Sequence, residues 1–289
     1  EADVMIAAGT ETMSLMNQMT GNKVALNPAI FEQEENYTIA FGMGLTAEKV
    51  AAQWQVSRED QDAFALASHQ RACAAIAAGH FRAEISPYAV KARVPDLVRG
   101  EVTVKEYLVD TDEGPRADAS REGLARLRPV FAARGTVTAG NSSQMSDGAA
   151  AVLVVSEKTL RQCNLKPLAR FAGFSVAGVA PEIMGIGPIV AIPQVLMQAG
   201  VRQDEVDWFE LNEAFAAQSL AVIRTLDLDP EKVNPLGGAI ALGHPLGATG
   251  AIRTATLVHG LQRTGKRYGM VTMCIGTGMG AAGLFESIR

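Results

Sequence analysis

Cysteine, histidine and aromatic side chains are all scarce in this chain. Its 289 residues include three cysteines, four histidines and 6% aromatics. Cys73, Cys163 and Cys274 are too few and too far apart for a disulfide scaffold, and no CxxC pair offers structural zinc ligands. A reducing compartment, the cytoplasm, is the expected location. No apolar run approaches the roughly 20 residues that cross a bilayer, so no membrane span is expected. Lys and Arg number 26 against 31 Asp and Glu, a net charge of -5. The basic residues form no block, which removes the electrostatic footprint of a nucleic-acid binder. HExxH, a Walker loop and a strand-linked GxGxxG with a following acid are missing too. Gly276, Gly278 and Gly280 have the GxGxG spacing, but lie too near the C-terminus to open a βαβ unit. Glu1 to Thr10 reads as a strand running into a glycine turn, without the basic-then-apolar pattern of a signal peptide. It is expected to begin inside a fold.

Apolar residues, 48% of the chain, are spread over the whole length and imply substantial cores. Residues 15 to 45 are polar, rich in Asn and Met, and predict a long functional loop. Two helices follow, one from Thr46 to Trp54 and a longer one from Ser57. The second has Phe64, Ala67, Ala72, Ala75 and Ile76 on one face, a capping pair Ser57 and Asp60, and Gly79 as its stop. Ile85 to Arg134 is charged and broken by prolines, an excursion from a core. Asp147 to Ser156 is an apolar run of the kind buried on both faces. Beyond Pro167, strands (169–179, 206–211, 268–274, 280–288) alternate with helices (188–199, 212–226, 247–263). That alternation predicts an α/β layered domain with a mostly parallel or mixed sheet.

In open α/β sheets ligands gather beyond the carboxyl ends of strands. Three turns there carry reactive groups. In Glu210-Leu-Asn-Glu-Ala-Phe-Ala216, Asn212 and Glu213 fall at a strand-to-helix junction; Asn is a favoured N-cap, so capping is the simpler reading of Asn212 by itself. The stretch Asn234 to Gly250 holds five glycines around His244, which Pro245 restrains, a setting that a structural histidine does not need. Met273-Cys-Ile-Gly-Thr-Gly-Met-Gly280 ends a strand in Cys274 and then turns, aiming backbone N–H groups at one point and leaving the thiol exposed to substrate. A buried, inert thiol is the alternative there. Cys73, Cys163, His69, His80 and His259 lack such a context and read as solvated or packing residues.

Together NEAFA, GGAIALGHPLGATG and CIGTGMGAA, with AAGTETMS, TAEKVAAQW, SREDQDAFALASHQ, LRPVF and GTVTAGNSSQMSDGAA upstream, resemble the signature blocks of the thiolase family over essentially the whole chain. The resemblance implies an α/β layered fold with a mixed five-stranded sheet, helices on both faces, an inserted loop domain and an incomplete first half. Residues 1–15 and 139–160 would be the remnant of that half, 16–138 the loop domain, and 161–289 the complete second half. It implies an acyl-CoA C-acyltransferase, cleaving 3-ketoacyl-CoA by thiolysis or condensing acetyl-CoA in the Claisen direction, through an acyl-cysteine. The nucleophile would precede Glu1, since none of the three cysteines fits its motif, and the 289-residue chain is expected to be inactive by itself.

By the same resemblance His244 deprotonates the nucleophile and later binds the thioester oxygen, while Cys274 shuttles a proton. Asn212 holds a water in one oxyanion hole and the Gly276 N–H serves another. Coenzyme A, a substrate rather than a resident cofactor, would meet Arg116 at its nucleotide end and Leu127, Ala139, Ser142 and Ser143 along the pantetheine. Phe131, Met43, Met184 and Phe215 would line the acyl end. No metal is implied, and a homodimer or homotetramer is expected. The alternative is a non-catalytic CoA- or lipid-binding relative, against which the joint presence of Asn212, His244 and Cys274 argues.

Overall fold

The computed structural model describes residues 2–15, 27–33 and 37–288. Strand β1 (Val4–Thr12) is followed by helices α1 (Met43–Gln53) and α2 (Arg58–Ala77), strands β2 (Tyr88–Asp96) and β3 (Glu101–Val109), and α3 (Arg121–Ala125). Then come β4 (Asp147–Val155), α4 (Glu157–Gln162), β5 (Ala169–Gly178) and α5 (Gly187–Ala199). The remainder is β6 (Val206–Leu211), α6 (Ala216–Thr225), α7 (Ala239–Leu242), α8 (Thr249–Thr264), β7 (Tyr268–Ile275) and β8 (Met279–Ser287). Of the loop expected over 15 to 45, residues 16–26 and 34–36 lie outside the described residues. Its described remainder makes single 3-10 turns at Pro28–Phe31 and Tyr37–Ala40 and the start of α1.

The principal sheet has the order β5-β8-β7-β6, with β6 and β7 parallel and the other pairs antiparallel. Four strands thus replace the expected five among the described residues. At the open edge of β6 the chain near Val233 makes only an isolated parallel bridge to Phe209. Pro235 has no backbone N–H to donate to the ladder, so the pairing is not extended and the fifth position stays a stub.

Alternation along the strands sends side chains to two helical layers. Phe209, Met270 and Leu284 join Ala191, Ile192, Val195 and Leu196 of α5 in one core. Their neighbours Trp208, Val271 and Phe285 join Leu257 and Leu261 of α8 in another. Each fully buried Leu, Ile or Met contributes about 1.5–3 kcal/mol relative to exposure. Pro181–Ala199 is long and apolar enough by composition to cross a bilayer, but here α5 spends those side chains on the sheet. Gly200 and Gly265, both at φ 65°, end α5 and α8 in the left-handed conformation that glycine adopts without strain.

The opposite side of α8 meets a second, two-stranded sheet in which β1 and β4 run antiparallel. Gly148 is packed so closely that an added Cβ would sit 2.8 Å from Pro245. Strand β4 was expected to be buried on both faces, and it is not. Only alternate residues are shielded by α8, while Val4, Met5, Ile6 and Leu153 are 52%, 55%, 68% and 58% exposed. An apolar run reports what a strand can bury, whereas a face is buried only where a layer covers it.

Helix α2 also departs from expectation. Ser57 caps it by accepting from the Asp60 N–H, but its buried face is Gln61, Asp62, Ala65, Ser68, His69, Ala72 and Ala75. Half of that face is polar because it is hydrogen-bonded to the body: Asn141 donates to Asp62 at 2.9 Å, and Ser68 to Glu213 at 2.7 Å. The region from Ile85 onward is an excursion as expected, an exposed hairpin of β2 and β3 with Leu97 and Val98 over 90% exposed at its tip.

Between the layers lies a buried ionic group. Arg253 of α8, 2% exposed, faces Glu210 at 3.4 Å, Trp208 donates to the same carboxylate at 2.7 Å, and Thr256 donates to Glu84 at 2.8 Å. Burial pushes both Glu210 and Glu84 up to about 7, with Arg253 opposing it most at Glu210 and the Thr256 hydroxyl most at Glu84. The folded chain therefore keeps protons that the unfolded chain, with ordinary carboxyls near 4.5, has released. Stability should fall as pH rises from about 4.5 to about 7. Glu84→Gln is expected to flatten that slope and to be more stable than the parent at pH 8. Urea unfolding at pH 5 and pH 8 reads it, and an unaltered slope in the variant would refute the assignment.

Candidate active site

Three parallel segments, β6, the stub at Val233 and β7, run in the same direction in the principal sheet, and each delivers one reactive residue at or beyond its carboxyl end. Asn212 follows β6 directly, its N–H donating to the Thr272 carbonyl at 2.9 Å so that it continues the ladder onto β7. Cys274 lies two residues further along β7. His244 arrives from the stub through the glycine-rich loop, just ahead of α8.

Asn212 and His244 touch: Asn212 Nδ2 is 3.2 Å from His244 Nε2. On the other side of the ring, His244 Nδ1 is 2.6 Å from the Thr249 hydroxyl. That hydroxyl donates its own proton to the Pro245 carbonyl at 2.9 Å, so it accepts from Nδ1–H. The tautomer is thereby settled, with the proton on Nδ1 and the Nε2 lone pair facing the Asn212 amide. Asn212 Oδ1 is buried and without a hydrogen-bond partner among the described residues. Asn212 does not cap a helix: α6 starts at Ala216, and the amide spends its donor on His244 instead. The expected helix from 212 begins late because the chain bends at Ala214 and Phe215 is extended, with Ser143 N–H donating to the Ala214 carbonyl and Ser142 bridging to Phe215.

Cys274 packs with Met184, Ala214 and Phe215. Its thiol was expected to be exposed, but the residue is 8% exposed, shut in by those apolar neighbours. Burial pushes the thiol up to about 12, while burial and then the positive charge of Arg253 push His244 down to about 4. Near neutral pH the pair is therefore a neutral imidazole and a protonated thiol, one an acceptor and the other a donor of protons. Gly276 stands half-buried in the turn after β7, with open space where a side chain would be. Thr277 and Gly278 beside it take φ of 70° and 100°.

Of the remaining candidates, Phe131 stands edge-on to Phe215 with ring centres 6.0 Å apart, and Gly44 lies flat against Phe131, beside a 41% exposed Met43. Ser142 is buried and donates to the Thr138 carbonyl at 2.7 Å. Phe131, Ser142, Ser143, Met184 and Phe215 are thus joined to Cys274 through Ala214 and Phe215. Leu127, 39% exposed, rests beside Gly140, and Ala139 is exposed next to it. Arg116 is not drawn into this group. It sits in an exposed turn, where its backbone N–H donates to His69 Nδ1 at 3.1 Å. His69 is itself 4% exposed, a packing residue rather than a solvated one.

Sequence reasoning passed over Thr249, Asn234, Ser68 and the part played by Glu213. Thr249 follows His244 by five residues at the start of a helix, a spacing that puts its hydroxyl over the preceding turn. Glu213, 1% exposed, accepts from Ser68 Oγ at 2.7 Å, Asn234 Nδ2 at 2.8 Å and the Ile240 N–H at 3.1 Å. Asn234 Oδ1 accepts from the Leu211 N–H at 2.9 Å, and its amide also donates to the Leu211 carbonyl at 2.8 Å. Asn234 holds φ at 46°, one of the few left-handed non-glycine positions.

Comparison with known proteins agrees with this geometry. Residues 1–158 match the family model "Thiolase, N-terminal domain" and residues 165–287 match "Thiolase, C-terminal domain". A 3-ketoacyl-CoA thiolase of Bacillus subtilis is 50% identical over 98% of this chain and 72% of its own length. A peroxisomal 3-ketoacyl-CoA thiolase A of Rattus norvegicus is 48% identical over 98% of this chain and 64% of its own. Among solved structures, human mitochondrial 3-ketoacyl-CoA thiolase in complex with CoA superposes with a TM-score of 0.85 at 40% identity, covering all of this chain and 72% of that one. The dimeric peroxisomal thiolase of Saccharomyces cerevisiae gives 0.85 at 43% identity, over 99% and 69%. The chain spans roughly two thirds of the length of these relatives. On the two family models and half-identity over nearly its whole length, with the three signature turns meeting in one place, the chain belongs to the thiolase family.

Proposed function

We propose that the protein is an acyl-CoA C-acyltransferase that cleaves 3-ketoacyl-CoA by thiolysis, the Claisen condensation of acetyl-CoA being the same path reversed. The observation that carries this is the Asn212–His244 contact of 3.2 Å, with the buried Cys274 two residues past the Thr272 carbonyl to which the Asn212 N–H is bonded. The 3-ketoacyl-CoA thiolases among the relatives, and a neighbour crystallised with CoA, support the substrate class.

In this reading an acyl-accepting cysteine gives its proton to His244 Nε2 and attacks the 3-keto carbon. Cys73, within α2, and Cys163, exposed after α4, do not fill that role, and Cys274 has another. An imidazole near 4 is a reluctant base. The thiolate formed opposite it supplies the compensating negative charge, since an opposite charge within about 4–6 Å favours the imidazolium. Asn212 Oδ1 is placed to hold a water or hydroxyl at the oxyanion, and the Gly276 N–H to serve a second one. When the bond between carbons 2 and 3 breaks, the Cys274 thiol protonates carbon 2 of the departing acetyl-CoA. The CoA thiol then takes the acyl group from the cysteine, giving its proton to the Cys274 thiolate, while His244 returns its proton to the released cysteine.

Coenzyme A is assigned to residues 16–138 as a loop domain, with Leu127, Ala139, Ser142 and Ser143 along the pantetheine and Arg116 at the nucleotide. Met43, Phe131, Met184 and Phe215 line the acyl end. Residues 161–289 form the second half, and 1–15 with 139–160 belong to the first. We assign a homo-oligomeric state, as in the dimeric yeast neighbour. A reducing compartment suits three free cysteines, the cytoplasm by default, although eukaryotic relatives are peroxisomal.

In a chain that also carries the acylated cysteine, His244→Ala should lower kcat/KM for acetoacetyl-CoA thiolysis by roughly 10²- to 10⁴-fold, the usual worth of a general base. Retained thiolysis in a folded variant would remove His244 from this role, and CoA binding without turnover in the parent would favour a non-catalytic relative. At pH 8, iodoacetamide should label the exposed Cys163 before Cys274, because only a thiolate is alkylated. Peptide mass spectrometry showing Cys274 modified first would contradict the proton-donor assignment.

A further inference from the structure

The contact between Asn212 and His244 joins two segments that share no secondary-structure ladder at that point. One is the turn after β6; the other is the loop that ends in His244. What spans them is the carboxylate of Glu213. From the residue adjoining Asn212 it takes the Ile240 N–H and the Asn234 amide, both on the His244 loop, and the hydroxyl of Ser68 from α2. Ser68 Oγ in turn accepts from the Gly238 N–H at 3.0 Å, so the loop is gripped a third time. The loop backbone is pressed against the carboxylate closely enough that a Cβ on Gly238 would lie 2.1 Å from Glu213 Cδ, which only glycine permits. Asn234 completes the brace, pairing both polar groups of its amide with the Leu211 backbone immediately before Asn212.

We infer that Glu213, with Ser68 and Asn234, is a positioning device that sets the distance between the Asn212 amide and His244 Nε2. It touches no reacting atom in the mechanism above. The arrangement is costly to build, since three polar side chains are each no more than 3% exposed. A carboxylate deprived of any one donor there would be left with a desolvation penalty of its own. Packing alone would be served as well by an apolar residue, so the buried charge is accounted for by the register it enforces. Helix α2 enters the same argument, because its Ser68 ties the presumed CoA-binding segment to the catalytic turn.

This inference rests on the proposed acyltransferase reading only for its effect on rate, and the test separates the two. In the whole protein labelled with ¹⁵N-histidine, the parent should show His244 protonated on Nδ1, with Nε2 shifted by its hydrogen bond. Asn212→Ala provides the reference for an unbonded Nε2. Ser68→Ala and Glu213→Gln should move the Nε2 resonance toward that reference while the Nδ1 proton, held by Thr249 on the same loop, stays in place. With the rate measured alongside, kcat for thiolysis should fall on the order of 100-fold at unchanged KM, the usual effect of an ångström of misplacement. Variants that lose thermal stability but keep the parent's Nε2 resonance and kcat would reduce Glu213 to an ordinary structural carboxylate. If Glu213→Gln fails to fold, Ser68→Ala decides, since it removes one donor and leaves the charge. A parent that carries the acylated cysteine and is inactive despite the expected resonances would overturn the acyltransferase reading and leave the positioning role standing.

Discussion

The end of strand β6 is the constraint on which the rest of this molecule depends. Its last residue, Leu211, is closed on one side by the parallel ladder to β7 and on the other by the side-chain amide of Asn234, which imitates the missing neighbour strand. A backbone pair buried at this depth must be satisfied, and the sheet has no fifth strand there to do it. The left-handed turn at Asn234 follows from that requirement. So does the route of the chain onward through Gly237 and Gly238 to His244, because the loop leaves from a side chain already bonded to the strand beneath Asn212.

Burial then sorts the chemistry. Cys274 and His244 are both withdrawn from water, and loss of water disfavours the charged form of each. For a thiol that means a raised proton affinity and for an imidazole a lowered one. A single physical cause thus leaves the two side chains in opposite protonation states at neutral pH. Arg253 adds to the effect on the imidazole from one turn further along α8, where Glu210 and Glu84 keep its charge from being isolated.

Glycine is the third ingredient, used where layers must approach rather than for looseness. A methyl on Gly9 would meet the Gly247 carbonyl at 1.9 Å, and one on Gly260 the Trp208 ring at 2.7 Å. The first contact lets β1 close on the turn that carries His244, and the second lets α8 lie against the sheet. Both are steric consequences of how tightly interiors pack. They bring the two sheets to opposite sides of one helix, so that α8, whose first turn orients His244 through Thr249, is held from both sides.

Much of this was legible from local pattern. The alternation of strands and helices after Pro167, the Ser57 cap with the Gly79 stop, and the three reactive turns all follow from periodicity and turn chemistry, which act within a few residues. What escaped was decided by partners distant in the chain. Asn212 has the composition of a helix cap, but its donor goes to a residue 32 positions away. Val152, Leu153 and Val154 read as a buried strand, yet burial depends on whether another layer lies over them. Cys274 read as an exposed thiol because a glycine turn follows it, and Met184 and Phe215 cover it from other elements. Residue order alone determined the family, the order of elements and which side chains are reactive, since these are written in short-range spacing. Only the tertiary structure decided the tautomer of His244, the protonation of Cys274 and the place of Glu213, because desolvation and hydrogen bonding are properties of the assembled neighbourhood.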